Sequence, residues 1–147
     1  MKDKVIRINW SKPLVFDDAI ISDLSNQQGL YYISRVFGHK ETSLYLGIAT
    51  NNNTIRNRLK AHSDSWLYFY RGKKLVRIGE IIYPKNANKS IIEHAESAIL
   101  FEQSKMFCEN TCKTKTYSYE ELYRIENVGD IFELKPKIRM HEHPEKV

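Results

Sequence analysis

Two glycine–tyrosine pairs set in one β-rich stretch constrain this chain more than any other feature. Gly29-Leu30-Tyr31-Tyr32-Ile33-Ser34-Arg35-Val36-Phe37 is β-branched and aromatic and ends at Gly38. After a polar stretch comes Ser43-Leu44-Tyr45-Leu46-Gly47-Ile48. Such residues suit a pleated, half-buried surface, so the two runs predict a β-hairpin. Residues two apart share a strand face, which sets Gly29 beside Tyr31 and Tyr45 beside Gly47, with Leu44, Leu46 and Ile48 on the core side. A glycine inside a strand marks a bulge or the close approach of a ligand or another backbone. Two readings follow: core tyrosines beside a bulge, or tyrosines lining a cleft.

The flanking segments extend this unit. Val5 to Trp10 predicts a short strand, and Phe16 to Leu24 a helix or an irregular lead-in. Asn51-Asn52-Asn53-Thr54 supplies good cap formers for a short helix from Ile55 to His62. Leu75 to Tyr83 predicts a third strand stopped by Pro84, and the strongest helical pattern runs from about Lys89 to Phe107. Tyr123–Glu126 and Ile131–Leu134, around Val128-Gly129-Asp130, predict a terminal hairpin. The expected fold is α/β (α+β): a small, mostly antiparallel three-stranded central sheet flanked by helices, with a C-terminal β-hairpin extension.

Three side chains carry chemistry. Arg58 and His62 stand at i and i+4 and therefore share a helix face, flanking the Ile55/Leu59 core stripe. A guanidinium offers phosphate a planar, permanently charged fork, and an imidazole exchanges protons near neutral pH. Glu96 falls among Ile92, Ile99 and Leu100, at the edge of the apolar stripe, while Glu93, His94, Glu102 and Lys105 read as solvated. A carboxylate at such an edge must be paired or hold a metal.

Taken in order, Gly29-Leu30-Tyr31, Tyr45-Leu46-Gly47, Arg58-Leu59-Lys60-Ala61-His62, Glu96 and Asn110 resemble the GIY-YIG nuclease superfamily. The resemblance covers about residues 29–110, slightly over half the chain. It implies a divalent-metal-dependent endonuclease that hydrolyses phosphodiester bonds in nucleic acid, with DNA as the first expectation. Tyr31 matches the tyrosine that activates or orients water, and Tyr45 the one that borders the scissile phosphate. Arg58 matches the arginine that stabilises phosphate charge and His62 the histidine that assists the tyrosine or the water. Glu96 matches the single carboxylate holding Mg²⁺ or Mn²⁺, and Asn110 a later asparagine that orders the site. The cations are expected to lower the tyrosine pKa towards neutrality. The chain departs from the pattern in four ways, one being the 13 residues from Tyr45 to Arg58, a long spacing that Asn51-Asn52-Asn53 accounts for as an insertion. Leu replaces Ile in both tyrosine motifs, Ile48-Ala49-Thr50 stands where a lysine is common, and Cys108-Glu109 precedes Asn110 where a proline often lies nearby. The alternative implied by the same resemblance is a catalytically inactive GIY-YIG-fold module that binds nucleic acid or a partner. Either way one domain is expected over 1–147, with its core at about 29–110 and an extension at 111–147.

Composition bounds the partners. Lys and Arg total 23 against 18 Asp and Glu, a net charge of +5 that suits a polyanion without demanding one. No apolar run approaches the roughly 20 residues of a membrane helix, and the charged Met1–Arg7 start does not read as a signal peptide. Two cysteines make no disulfide framework, so a reducing, cytoplasmic setting is expected. Trp66 to Lys74 interleaves aromatics with a basic tip: it either stacks bases or forms a core-packed strand ending in a solvated turn. Cys108 and Cys112 with the distant His141 and His143 have atypical spacing for zinc.

Overall fold

The computed structural model describes residues 4–110, 116–142 and 144. Seven strands form one mixed sheet: β1 (Lys4–Trp10), β2 (Leu14–Val15), β3 (Gly29–Phe37), β4 (Lys40–Ala49), β5 (Lys73–Tyr83), β6 (Tyr123–Gly129) and β7 (Lys137–Arg139). Three α-helices accompany it: α1 (Phe16–Ile21), α2 (Ile55–Ser65) and α3 (Lys89–Glu102). The strand order is β4-β3-β5-β1-β6-β7, with β2 added beside β5.

This corrects the expected three-stranded sheet. β4, β3 and β5 do pair antiparallel, but β1 continues the sheet beyond β5, and β6 pairs parallel to β1 from Lys4↔Tyr123 to Trp10↔Gly129. Residues after 122 therefore complete the sheet and do not form a separate hairpin. The second strand of that hairpin is also displaced, to Lys137–Arg139. Ile131–Leu134 forms a turn instead, in which Phe132 takes a positive φ of 47° and its ring lies 4.8 Å from the buried Arg77 guanidinium. Trp66–Lys74 is likewise no strand at its start. It caps α2, passes through a 3₁₀ turn at Leu67–Phe69 and only then enters β5.

The sheet separates two cores. On one face α3 packs Ile92, Ala95 and Ile99 against Trp10, Tyr32 and Leu46. On the other, α1 and α2 pack Phe16, Ile55 and Leu59 against Tyr31, Ile33 and Val76. Gly79 makes room for Trp10, since a Cβ there would fall 2.8 Å from the indole ring. The two neighbouring tyrosines of β3 thus serve opposite faces, as strand alternation requires.

One register shift changes the expected facing of β4. Ile33 pairs with Tyr45 but Ser34 with Ser43, so Leu44 is an extra residue on the bulged strand. Leu44 consequently joins Tyr31 and Leu59 in the α2 core, whereas Leu46 lies with α3. α3 itself ends at Glu102, earlier than expected, and Phe107 returns to the core from the turn beyond it. Among its polar residues His94 is buried, not solvated: Nε2 accepts from the Glu120 amide at 2.9 Å. Among the described residues no helix is long and apolar enough to cross a membrane.

Candidate active site

The site lies at the edge strand β4, which touches α2 and α3. Tyr31 comes from β3, Tyr45 from β4, Arg58 and His62 from α2, and Glu96 from α3. Local chemistry aims each element. Thr54 caps α2 by accepting from the Asn57 amide at 3.2 Å, and Asn51 and Asn52 adopt positive φ to make the preceding turn. Asn88 caps α3 by accepting from the Ile91 amide at 3.0 Å.

Gly47 is what admits Tyr31. The two residues pair across β3 and β4, and the Tyr31 ring lies directly over the glycine. A Cβ at position 47 would overlap ring atom Cζ and the hydroxyl oxygen. The close approach foreseen from the sequence is therefore made by a tyrosine of the adjacent strand. Tyr31 is fully buried, while Tyr45, stacked 6.1 Å away at 19°, keeps partial exposure.

His62 joins this pair through a fixed hydrogen-bond chain. Its Nε2 lies 2.7 Å from the Tyr31 hydroxyl, and its Nδ1 accepts from the Trp66 indole N–H at 2.8 Å. Indole nitrogen is a donor only, so Nδ1 carries no proton and the neutral ring holds its proton on Nε2. His62 therefore donates to the Tyr31 oxygen. Burial, and secondly the neighbouring Arg58 charge, lowers its pKa to about 4, so the ring is neutral at pH 7.

Arg58 is the charge and hydrogen-bond partner of both phenols, and its own pKa rises, chiefly through Tyr31. Its charge lowers the pKa of each tyrosine, as expected, but burial outweighs it and both pKa values stand above the ordinary phenol value. Arg58 thus acts in the expected direction, but by itself it leaves both phenols protonated at neutral pH. Glu96, half-buried, is close enough for its charge to act on Tyr31 and Tyr45 alike. Five residues spread from position 31 to position 96 share one electrostatic neighbourhood.

Asn110 enters differently. Its Oδ1 accepts from the Leu46 amide and its Nδ2 donates to the Leu46 carbonyl, both at 2.9 Å. The side-chain amide thus imitates a neighbouring strand, and the Glu109 amide donates to the Leu44 carbonyl beside it. Asn110 clamps the residue between Tyr45 and Gly47 and acts as a positioning residue. Trp66, in the sequence only the start of an aromatic and basic run, also contributes to the site through His62. Its signal was the four-residue spacing from His62, the same spacing that linked Arg58 to His62.

For a metal, the donor set is sparse. Among the described residues no group of three or more His, Cys, Asp or Glu is arranged to hold an ion. A single carboxylate beside phenols fits Mg²⁺ or Mn²⁺, because Mg²⁺ takes oxygen donors and retains most of its waters. The zinc alternative rests partly on Cys112 and His143, which lie outside the described residues. Comparisons of the chain with protein-family models, with curated proteins and with solved structures found no match.

Proposed function

We propose that this chain is a GIY-YIG-like, divalent-metal-dependent endonuclease that hydrolyses phosphodiester bonds, with DNA as its first substrate. The observation that carries the proposal is the shared neighbourhood of Tyr31, Tyr45, Arg58, His62 and Glu96. Its cytoplasmic location belongs to the same proposal and rests on the cysteine count.

Enzymes lower such barriers by roughly 8–23 kcal/mol, and acid–base catalysis alone supplies only ~10²–10⁴-fold. Positioning and charge stabilisation must supply the rest. Arg58, partly exposed, can bind non-bridging phosphate oxygens while it donates to the phenols. Tyr45 is the phenol that reaches solvent, so it is the one to meet attacking water. Tyr31, buried behind it, receives the His62 N–H and spreads charge that develops on the tyrosine pair. His62 in this tautomer stabilises a phenolate and takes no proton itself. A divalent ion held by Glu96 would add positive charge beside the phenols and act as a Lewis acid towards the leaving oxygen.

The raised phenol pKa values favour one second reading, a catalytically inactive module that binds nucleic acid or a partner. One experiment separates the two: nicking of supercoiled plasmid with Mg²⁺, with EDTA, and by Glu96→Gln. Nicking that needs Mg²⁺ and Glu96 is expected. Binding without nicking would favour the module, and nicking that survives both EDTA and Glu96→Gln would sink the mechanism.

A further inference from the structure

Beyond the phenol site, one surface combines shape, aromatic faces and charge. Tyr68 and Phe69, in the 3₁₀ turn after α2, are 63% and 72% exposed and stack on each other at 4.3 Å and 28°. Isolated exposed apolar residues need no explanation. Here, however, the neighbouring Trp66, Leu67 and Tyr70 all pack inwards, and the two rings that turn outwards do so together.

A cavity of about 290 Å³ opens beneath Tyr68. Phe16 and Tyr68 give it apolar walls, Asp17 and Ser63 supply polar groups, and Lys73 and Lys74 supply positive charge. That volume lies near the lower end of small-molecule pockets, roughly 300–1,000 Å³. Ser63, on the cavity wall, follows His62 of the candidate active site along α2. Arg71, also exposed, lies between the aromatic pair and the lysines in the chain.

We propose that this surface binds an unpaired nucleotide, the base stacking on the Tyr68/Phe69 pair and entering the cavity while its phosphates meet Lys73 and Lys74. The inference rests on the nuclease reading for its nucleic-acid partner and adds the form of that partner: strands with unpaired bases beside the cleavage point. Every base has a π-face, so aromatic stacking is tolerant of sequence but demands that the base leave the duplex. Asp17 can accept from base N–H groups and Ser63 can donate or accept, whereas a duplex backbone would offer neither cavity nor rings anything to fill. Charge complementarity selects the occupant, since Lys73 and Lys74 outnumber Asp17 on this surface and the net positive charge favours an anionic occupant over an apolar protein segment.

The test is fluorescence-anisotropy binding of the full chain to labelled DNA, in EDTA so that nothing is cut. The probes are a blunt duplex, the same duplex with a three-nucleotide bulge, and the single strand. The bulged and single-stranded probes should bind at least five-fold more tightly than the blunt duplex. Tyr68→Ala/Phe69→Ala should cost these two probes about ten-fold, in line with stacking worth roughly 1–3 kcal/mol per base, and leave the duplex within two-fold. Lys73→Gln/Lys74→Gln should flatten the salt dependence for the single strand by about 1.4 units of slope, at about 0.7 per phosphate contact. Equal binding of all three probes, no binding at all, or aromatic variants that behave like the parent would overturn the inference. So would a concentration-dependent dimer abolished by Tyr68→Ala/Phe69→Ala with oligonucleotide binding intact. Plasmid nicking is read separately, so failure of the nuclease reading is not confused with failure here.

Discussion

Trp66 dictates the proton position of His62: its indole N–H occupies Nδ1 at 2.8 Å, leaving Nε2–H to face the Tyr31 hydroxyl at 2.7 Å. Replacing Trp66 with Phe keeps the ring contact with Tyr45 but frees Nδ1. Nitrogen-15 NMR should then show His62 changing from a single Nε2–H tautomer to a mixture. Plasmid nicking should fall by about ten-fold or more, with substrate affinity little changed. A parent protein whose His62 already shows the Nδ1–H tautomer would contradict the arrangement.

The same histidine makes stability pH-dependent. An unfolded histidine titrates near 6.5, and His62 in the fold near 4. Between these values the unfolded chain binds the extra proton. This contribution is therefore whole above pH 6.5 and lost as pH falls through about 4, at up to about 1.4 kcal/mol per pH unit. Denaturant midpoints at pH 7.5 and pH 5 should drop more for the parent than for His62→Gln. Equal drops would refute the buried, neutral imidazole.

Gly47→Ala tests the seat of Tyr31. The added methyl would overlap the Tyr31 ring, so the ring or β4 must move. Overpacking of this kind costs about 1–3 kcal/mol, readable as a lower melting temperature. Nicking should fall further than stability alone explains, since the phenol would leave His62.

Asn110→Ala removes two hydrogen bonds to the backbone of one residue. A loss of about 1–3 kcal/mol is expected, together with faster amide exchange at Leu46. Asn110→Asp retains an acceptor for the Leu46 amide but sets a carboxylate against the Leu46 carbonyl, so it should be no better than Ala. Slow exchange at Leu46 in both variants would remove the clamp from the account.

Arg77 supplies a fifth test. Only 4% of its side chain is exposed; it bonds Glu41 at 2.6 Å and Asp130 at 2.9 Å, and lies against Phe132. Losing either carboxylate leaves Arg77 the other, and both partners are partly exposed, so each loss should fall below the roughly 3–5 kcal/mol of a buried charge left uncompensated. Glu41, the more buried partner, should matter more: Glu41→Gln should lower the melting temperature further than Asp130→Asn.

The hairpin, α2, β5 and α3 were legible because each is specified locally, by alternation, caps and helical spacing. What escaped has non-local causes. The parallel pairing of β1 with β6 leaves no mark in either segment. Ile131–Leu134 looks like a strand until Phe132 is drawn to the Arg77 guanidinium, a partner 55 residues away in sequence. The extra residue at Leu44 depends on how β3 and β4 align, and a one-residue offset reverses facing. Within the candidate site, Tyr31, Tyr45, Arg58, His62 and Glu96 form a set in the sequence only through the order of motifs that resembles GIY-YIG; residue type alone leaves the tyrosines readable as core. For Asn110 the resemblance implies an ordering role but not its partners, because these are the backbone atoms of Leu46. The raised phenol pKa values could not be anticipated, because burial is a property of the assembled core.

The parallel pairing of β1 and β6 also sets a timetable. Lys4 pairs with Tyr123, 119 residues later. At roughly 5–20 residues per second, a ribosome adds that stretch in about 6–24 seconds. β1 can meet β5 well before then, but its other edge waits, unpaired, through most of synthesis. An open strand edge invites pairing with other chains. The newborn protein is thus most exposed to aggregation after its candidate catalytic residues have been made and before its last strands arrive.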